Sequence, residues 1–171
     1  MAHSNTYGSL VLSTGNKSEM SVGYCTIYGD MCGGLSVIAD LYKMEVYSIA
    51  EYYNDQKGEY VIPKNIVDKA PSAELWEGQK DTDSLPPYPV LDALLKLYLE
   101  RDLLTKEEIT DATTAIENMS LKDIKRILSM TDRAEFKRQQ AAPVLRIHRR
   151  AFGFGRNLPI TQKYKVSYRN V

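Results

Sequence analysis

The sequence predicts an α/β fold in which helix outweighs strand, and three observations carry that expectation. Gly8 to Thr14 (GSLVLST) is a short apolar run of β-forming residues that reads as one buried strand. It passes straight into a polar turn, Gly15 to Glu19, of the kind that opens a helix. From Pro89 onward, apolar residues recur at helical spacing behind successive capping residues. With 171 residues, 43% hydrophobic and 26% charged, the chain has the length and composition of one soluble globular domain.

After the strand, Gly23 to Asp40 is rich in glycine, tyrosine and turn residues and reads as loop with short extended pieces. A helix is expected from about Tyr42 to Tyr53, with Val46, Ile49, Ala50 and Tyr53 on its apolar stripe. Asn54 to Tyr88 holds four prolines and no strong periodicity, so it reads as a long irregular segment. Leu91, Leu94, Leu95 and Tyr98 then mark a helix with Pro89 in its first turn. Thr105 and Glu108 have capping-box spacing ahead of Ile109, Ala112, Thr113 and Ile116. Ser120 and Asp123 repeat that start before Ile124, Ile127 and Leu128, and Thr131 or Asp132 is expected to cap a further helix ending before Pro143. The chain thus divides into residues 1–88, with strand, ligand loops and helix, and a helical, basic region over residues 89–171.

Composition narrows the function. No apolar stretch approaches the roughly 20 residues that a membrane span requires, and the first residues lack the basic and apolar blocks of a signal peptide. Cys25 and Cys32 are too few for a disulfide framework, which points to a reducing cytoplasm. The zero net charge hides a split. Met1 to Asn118 carries 9 basic and 19 acidic residues, whereas Met119 to Val171 carries 13 basic and 3 acidic. Either the two halves attract each other or the basic end meets an anionic ligand. A nucleic-acid partner is not expected, because Phe152, Phe154 and Tyr164 are few and unrepeated.

Ser13 to Glu19 gathers hydroxyls, backbone amides and a carboxylate at the carboxyl end of a strand, where α/β sheets bind ligands. Such groups suit a phosphate with Mg²⁺, a cation that takes hard oxygen ligands; a simple capped turn is the commoner use of the pattern. Tyr24 to Asp30 is a polar-aromatic loop able to stack on a flat heterocycle or to pack at an edge. Lys43 opens a helix at the end the dipole disfavours for a cation, which hints at an anionic partner. Arg146 to Arg156 (RIHRRAFGFGR) could grip phosphates or pair with the acidic half. No nucleophile–base pair is legible, so the residues alone reach an anionic-ligand site and no reaction.

Four segments extend the reading: LSTGNKSEMSVGYCTIYGD (Leu12 to Asp30), PSAELWEGQKDTDSLPPY (Pro71 to Tyr88), EFKRQQAAP (Glu135 to Pro143) and RAFGFGRNLPITQKY (Arg150 to Tyr164). Long, ordered and spread along the chain, they resemble the NAD synthetase family of N-type ATP pyrophosphatases, in its glutamine-dependent form. The resemblance implies an incomplete, adenine-nucleotide alpha-hydrolase-like parallel sheet. It also implies a two-step reaction in which ATP adenylates the nicotinate carboxylate of deamido-NAD and ammonia then displaces AMP to give NAD. In the glutamine-dependent form a separate glutaminase domain supplies the ammonia, and nothing similar to it occurs here.

By the same resemblance Thr14, Lys43 and Ser72 are expected to contact ATP, and Glu19 to hold Mg²⁺ or deamido-NAD. Tyr24, Cys25, Thr26 and Ile27 are expected to line the deamido-NAD pocket. Phe154 and Gly155 align with a ligand position that is often lysine in the family, so Arg156 is expected to supply the charge; Gly34 falls where some relatives place an aspartate. The family's Ser-Gly-Gly-x-Asp-Ser phosphate loop is absent, so the chain is expected to be the C-terminal part of a synthetase domain, inactive alone and with exposed apolar surface. Family members are homodimers, which implies a homo-oligomeric full-length enzyme. The alternative is a non-catalytic truncated paralogue that binds a nucleotide or a protein.

Overall fold

The computed structural model describes residues 1–73 and 76–161. A short helix α1 (Ala2–Tyr7) ends at Gly8 and leads to strand β1 (Leu12–Ser13), so the strand is shorter than the run Gly8 to Thr14 suggested. Helix α2 (Lys17–Val22) follows, and after a long turn strand β2 (Leu35–Ser36) pairs parallel to β1 with Leu12 opposite Leu35. The sheet gains a third short member where Ser36 N donates to Pro143 O at 2.8 Å and Leu145 N donates to Ser36 O at 3.2 Å. Between the first two strands the hydroxyls of Ser13 and Ser36 share a buried 2.6 Å hydrogen bond. Leu10 and Leu12 stand exposed beside β1, the apolar surface that so small a sheet was expected to leave.

Helix α3 (Lys43–Lys57) begins where expected, yet its stripe is not a core face. Ile49 and Tyr53 are 50% and 43% exposed, and the buried residue near its end is Asn54. Periodicity marks an apolar face; it does not supply a partner to cover it. Asn54 instead brackets the following loop, its amide donating to Ile62 O at 2.9 Å and accepting from Ile62 N at 2.8 Å. The segment read as irregular contains helix α4 (Lys64–Asp68) and one 3-10 turn at Asp81–Asp83.

Helix α5 (Tyr88–Glu100) is the centre of the molecule. Leu91, Leu94 and Leu95 are fully buried, and it packs against α2, α3, α6 (Lys106–Ile116) and α7 (Leu121–Arg133). Each such side chain contributes about 1.5–3 kcal/mol by leaving water, and Ile127 and Leu128 of α7 complete the contact. The capping box of Thr105 and Glu108 forms as the spacing predicted, and Ser120 caps α7 through Asp123 N.

Thr131 and Asp132 do not cap a new helix. Both lie inside α7, where the Thr131 hydroxyl donates back to Ile127 O and Asp132 accepts from Tyr98. The last helix among the described residues, α8 (Glu135–Arg138), is a single turn. The basic C-terminal stretch is docked largely by charge: Arg150 forms two hydrogen bonds to Asp102 at 2.7 and 2.8 Å, and the backbone amides of Ile147 and His148 donate to Asp40. Attraction between the two halves is therefore realised, whereas Arg156 pairs within its own half, with Asp132. Among the described residues no helix is long and apolar enough to cross a membrane.

Candidate functional site

The site is built around the N-terminal turn of α2. Asn16 and Glu19 form a reciprocal capping box, each backbone N–H donating to the other's side chain at 3.0 Å. That leaves Glu19 Oε1 to face Lys43 Nζ at 3.0 Å. Lys43 therefore has a protein anion to offset its place at the start of α3, and its amine also stands 5.3 Å from the ring centre of Tyr88. Gly23 closes α2 in a left-handed conformation and turns the chain into the Tyr24–Asp30 loop. There Thr26 N donates to Asp30 Oδ1 at 2.7 Å.

Lys137 of α8 reaches across to the end of α2 and donates to Gly23 O and Cys25 O, both at 2.7 Å. Its neighbour Arg138 donates to Met20 O and Ser21 O, so two cations serve the carbonyl end of one helix. Burial pushes the Cys25 thiol up to about 11, which favours its neutral form as a lining group. The Tyr24 hydroxyl accepts from Gln79 Nε2 at 3.0 Å, fastening the second resembling segment to the first. Buried Asp81 of that segment accepts from Tyr88 at 2.7 Å through Oδ2, and its Oδ1 is buried without a hydrogen-bond partner.

These contacts enclose a cavity of about 490 Å³. It is lined by Thr14, Glu19, Tyr24, Cys25, Thr26 and Ser72, six of the residues singled out from sequence, together with Lys137, Asp81 and Asp30. Lys43 lines an adjoining space of about 430 Å³ that shares Glu19, Ser72 and Asp81 with the first. Ile27 packs against the core beneath the loop. Phe154 lines a different, smaller cavity with Met20, Arg138 and Phe152. Arg156 is engaged by Asp132 at 2.9 Å and lies 4.9 Å from the Tyr98 ring centre. Lys137 went unassigned in the sequence although it stands inside the EFKRQQAAP segment, because nothing in its spacing separates it from the neighbouring cations.

Among the described residues no group of three His, Cys, Asp or Glu side chains could hold a metal by itself. Mg²⁺ commonly takes only one or two carboxylates and completes its shell with water and phosphate oxygens. Glu19 and the unpartnered oxygen of Asp81 fit that lesser demand for an ion carried in with a nucleotide.

Hydroxyls, carboxylates and lysines thus gather beyond the carboxyl end of a parallel strand, the place where α/β sheets commonly take their ligands. The chain belongs to the NAD synthase family, whose profile matches residues 1–141. It is 48% identical over 96% of its length to the glutamine-dependent NAD(+) synthetase of Thermotoga maritima. It is also 47% identical over 96% to that of Xanthomonas campestris pv. campestris. The chain spans 28% and 29% of those two relatives. The crystal structure of a glutamine-dependent NAD(+) synthetase from Cytophaga hutchinsonii shares the fold, with a TM-score of 0.66 and 21% identity over 92% of this chain and 25% of that one. The fold is thus the mixed, largely helical α/β arrangement with short parallel strands that the sequence predicted.

Proposed function

We propose that residues 1–171 form the C-terminal part of the synthetase domain of an ATP-dependent carbon–nitrogen ligase that amidates deamido-NAD to NAD in the cytoplasm. The observation that carries the proposal is the convergence of Thr14, Glu19, Tyr24, Cys25, Thr26 and Ser72 on one cavity in a chain of this family. The relatives' names support an enzyme over a non-catalytic binding module.

The chemistry follows from the substrate. A carboxylate resists attack until a good leaving group is attached, so ATP first adenylates it and ammonia, released from glutamine by a glutaminase domain, then displaces AMP. Thr14, Ser72 and Lys43 are the proposed ATP contacts, with Lys43 as point charge for the phosphates. Glu19 and Asp81 are the proposed carboxylates for the Mg²⁺ that accompanies ATP; Lys43, paired with Glu19 in the structure, would then be available to the phosphates. Tyr24, Cys25 and Thr26 offer a surface for deamido-NAD, with Ile27 backing them and Lys137 as their cationic neighbour. Phe154, which lines a neighbouring cavity, and Arg156, paired with Asp132, are the proposed deamido-NAD contacts from the C-terminal segment, and a homo-oligomer is the proposed assembly.

The test is NAD formation by the complete gene product supplied with deamido-NAD, MgATP and glutamine. Product formation that falls at least about tenfold in Glu19→Gln, the scale of a lost charged contact, is the expected result. No consumption of deamido-NAD overturns the reading, and an unchanged rate in the variant removes Glu19 from the site.

A further inference from the structure

Asp92 lies on α5, is 4% exposed, and lines neither cavity of the candidate site. Its two oxygens nevertheless serve the two helices that carry Lys43 and Glu19. Oδ2 accepts from the backbone N–H of Met44 at 2.9 Å. Oδ1 accepts from the hydroxyl of Ser18 at 2.5 Å, and that same hydroxyl accepts from the backbone N–H of Lys43 at 2.9 Å. Ser18 is fully buried and immediately precedes Glu19.

One carboxylate therefore satisfies the first two amide groups of α3, one directly and one through Ser18, and ties that helix to α2. These are donors that no bond within the helix can satisfy. A local cap would do that work from the residue preceding the helix, where Tyr42 makes no side-chain cap hydrogen bond to the helix amides. Using a residue of the central helix instead fixes α2 and α3 to the same rigid element. The separation of Lys43 Nζ from Glu19 Oε1, 3.0 Å, is set between those two helices. A side chain on a backbone so held has less conformational freedom left to lose when a ligand arrives.

We propose that Asp92, acting through Ser18 and the first turn of α3, is a positioning residue that aims Lys43 and Glu19 at the nucleotide phosphates and their metal; this rests on the function proposed above. It touches no ligand. Removing it lets the start of α3 turn away from α2, and the cost appears in nucleotide binding.

The experiment is a double-mutant cycle on MgATP affinity, measured by calorimetric titration of the complete gene product. Lys43→Met is expected to weaken binding about tenfold, the scale of one lost charged hydrogen bond. Asp92→Ala is expected to weaken it about fivefold in the native background and by less than about twofold when Lys43 is already Met, because most of its effect passes through that side chain and only the remainder through Glu19. Asp92→Asn can accept from Met44 N and donate to Ser18, so it should restore most of the lost affinity. Ser18→Ala, a smaller change in shape, runs the same cycle should Asp92→Ala fail to fold. Full additivity of the two substitutions overturns the proposal, as does Asp92→Asn binding as weakly as Asp92→Ala. If Lys43→Met binds MgATP like the native protein, Lys43 is no nucleotide contact, and the positioning role falls together with that part of the functional reading.

Discussion

Lys17 and Glu100, 83 positions apart in sequence, meet at 2.6 Å in the interior of the protein. Lys17 is 1% exposed, pairs also with Asp40 at 2.9 Å, and donates to Arg150 O at 2.8 Å. The Tyr42 hydroxyl donates to the same Glu100 oxygen at 2.7 Å. One amine thereby joins α2, α5, the turn before α3 and the C-terminal segment. Lys17→Met leaves two buried carboxylates without their shared cation and should lower stability by about 3–5 kcal/mol, as for other broken buried pairs. Urea unfolding measures it, and a loss below about 1 kcal/mol would show that water or rearrangement replaces the amine.

His148 faces two carboxylates. The Asp40 side chain, 3.7 Å away, and that of Glu45, 3.4 Å away, raise its pKa from 6.5 to about 10. Because the folded value lies above the unfolded one, the stabilisation is complete below pH 6.5 and disappears as pH rises toward 10. Burial alone would raise Asp40 and Glu45, yet hydrogen bonds from His148, from Lys17 to Asp40, and from Lys96 and Tyr42 N to Glu45 hold both at about 2. Their contribution is present above their ordinary values and is lost as pH falls toward 2. His148→Gln should thus be destabilised relative to the native protein at pH 6.5 and match it near pH 10. A stability difference independent of pH would contradict this.

Asp92 titrates in the opposite sense to those carboxylates. Burial raises its pKa from 3.8 to about 6, against the lowering effect of Ser18, Met44 N and Lys96, with Glu45 adding to the rise. Its ionisation therefore costs stability as pH climbs through the interval between those two values. Asp92→Asn should be more stable than the native protein above pH 6 and equal to it below pH 3.8. Thermal unfolding followed across that interval reads the difference. An advantage that persists at the acid end would have another origin than the charge.

The parts of the fold legible in the sequence are those decided locally. Leu91, Leu94 and Leu95 reach the core because α5 is apolar along one side, and Thr105 with Glu108 closes a capping box within one turn. Thr131 and Asp132 have cap chemistry, but inside α7 Asp132 is held by Tyr98 and Arg156 and the Thr131 carbonyl by Arg138, contacts that no local pattern reveals. The site is similar. Asn16 to Glu19 announces a capped helix by itself, whereas the meeting of Glu19 with Ser72 and Lys137 depends on Gln79 holding Tyr24 and on α8 folding back over α2. Resemblance to a family brought Ser72 into view; spacing could not. Lys137 joins the pocket only through the fold.

Gly23 is where the helix end, the pocket and α8 depend on one another. Its φ is +73°, a left-handed value that costs other residues about 1 kcal/mol. A methyl group there would also sit 2.8 Å from the Ala134 side chain, well inside van der Waals contact. Its carbonyl is one of the two that hold Lys137. Gly23→Ala should therefore lower stability by about 1–3 kcal/mol through strain and clash together. It should also weaken binding of the proposed nucleotide ligands as α8 is pushed away and Lys137 with it. The two causes separate in the pair Gly23→Ala with Ala134→Gly, which removes the opposing methyl and leaves the backbone strain. Urea unfolding of the pair should recover the part due to the clash and retain a deficit of about 1 kcal/mol from the backbone. No recovery in the pair would mean that α8 does not rest on this glycine, and that Lys137 is held over the pocket by its own hydrogen bonds alone.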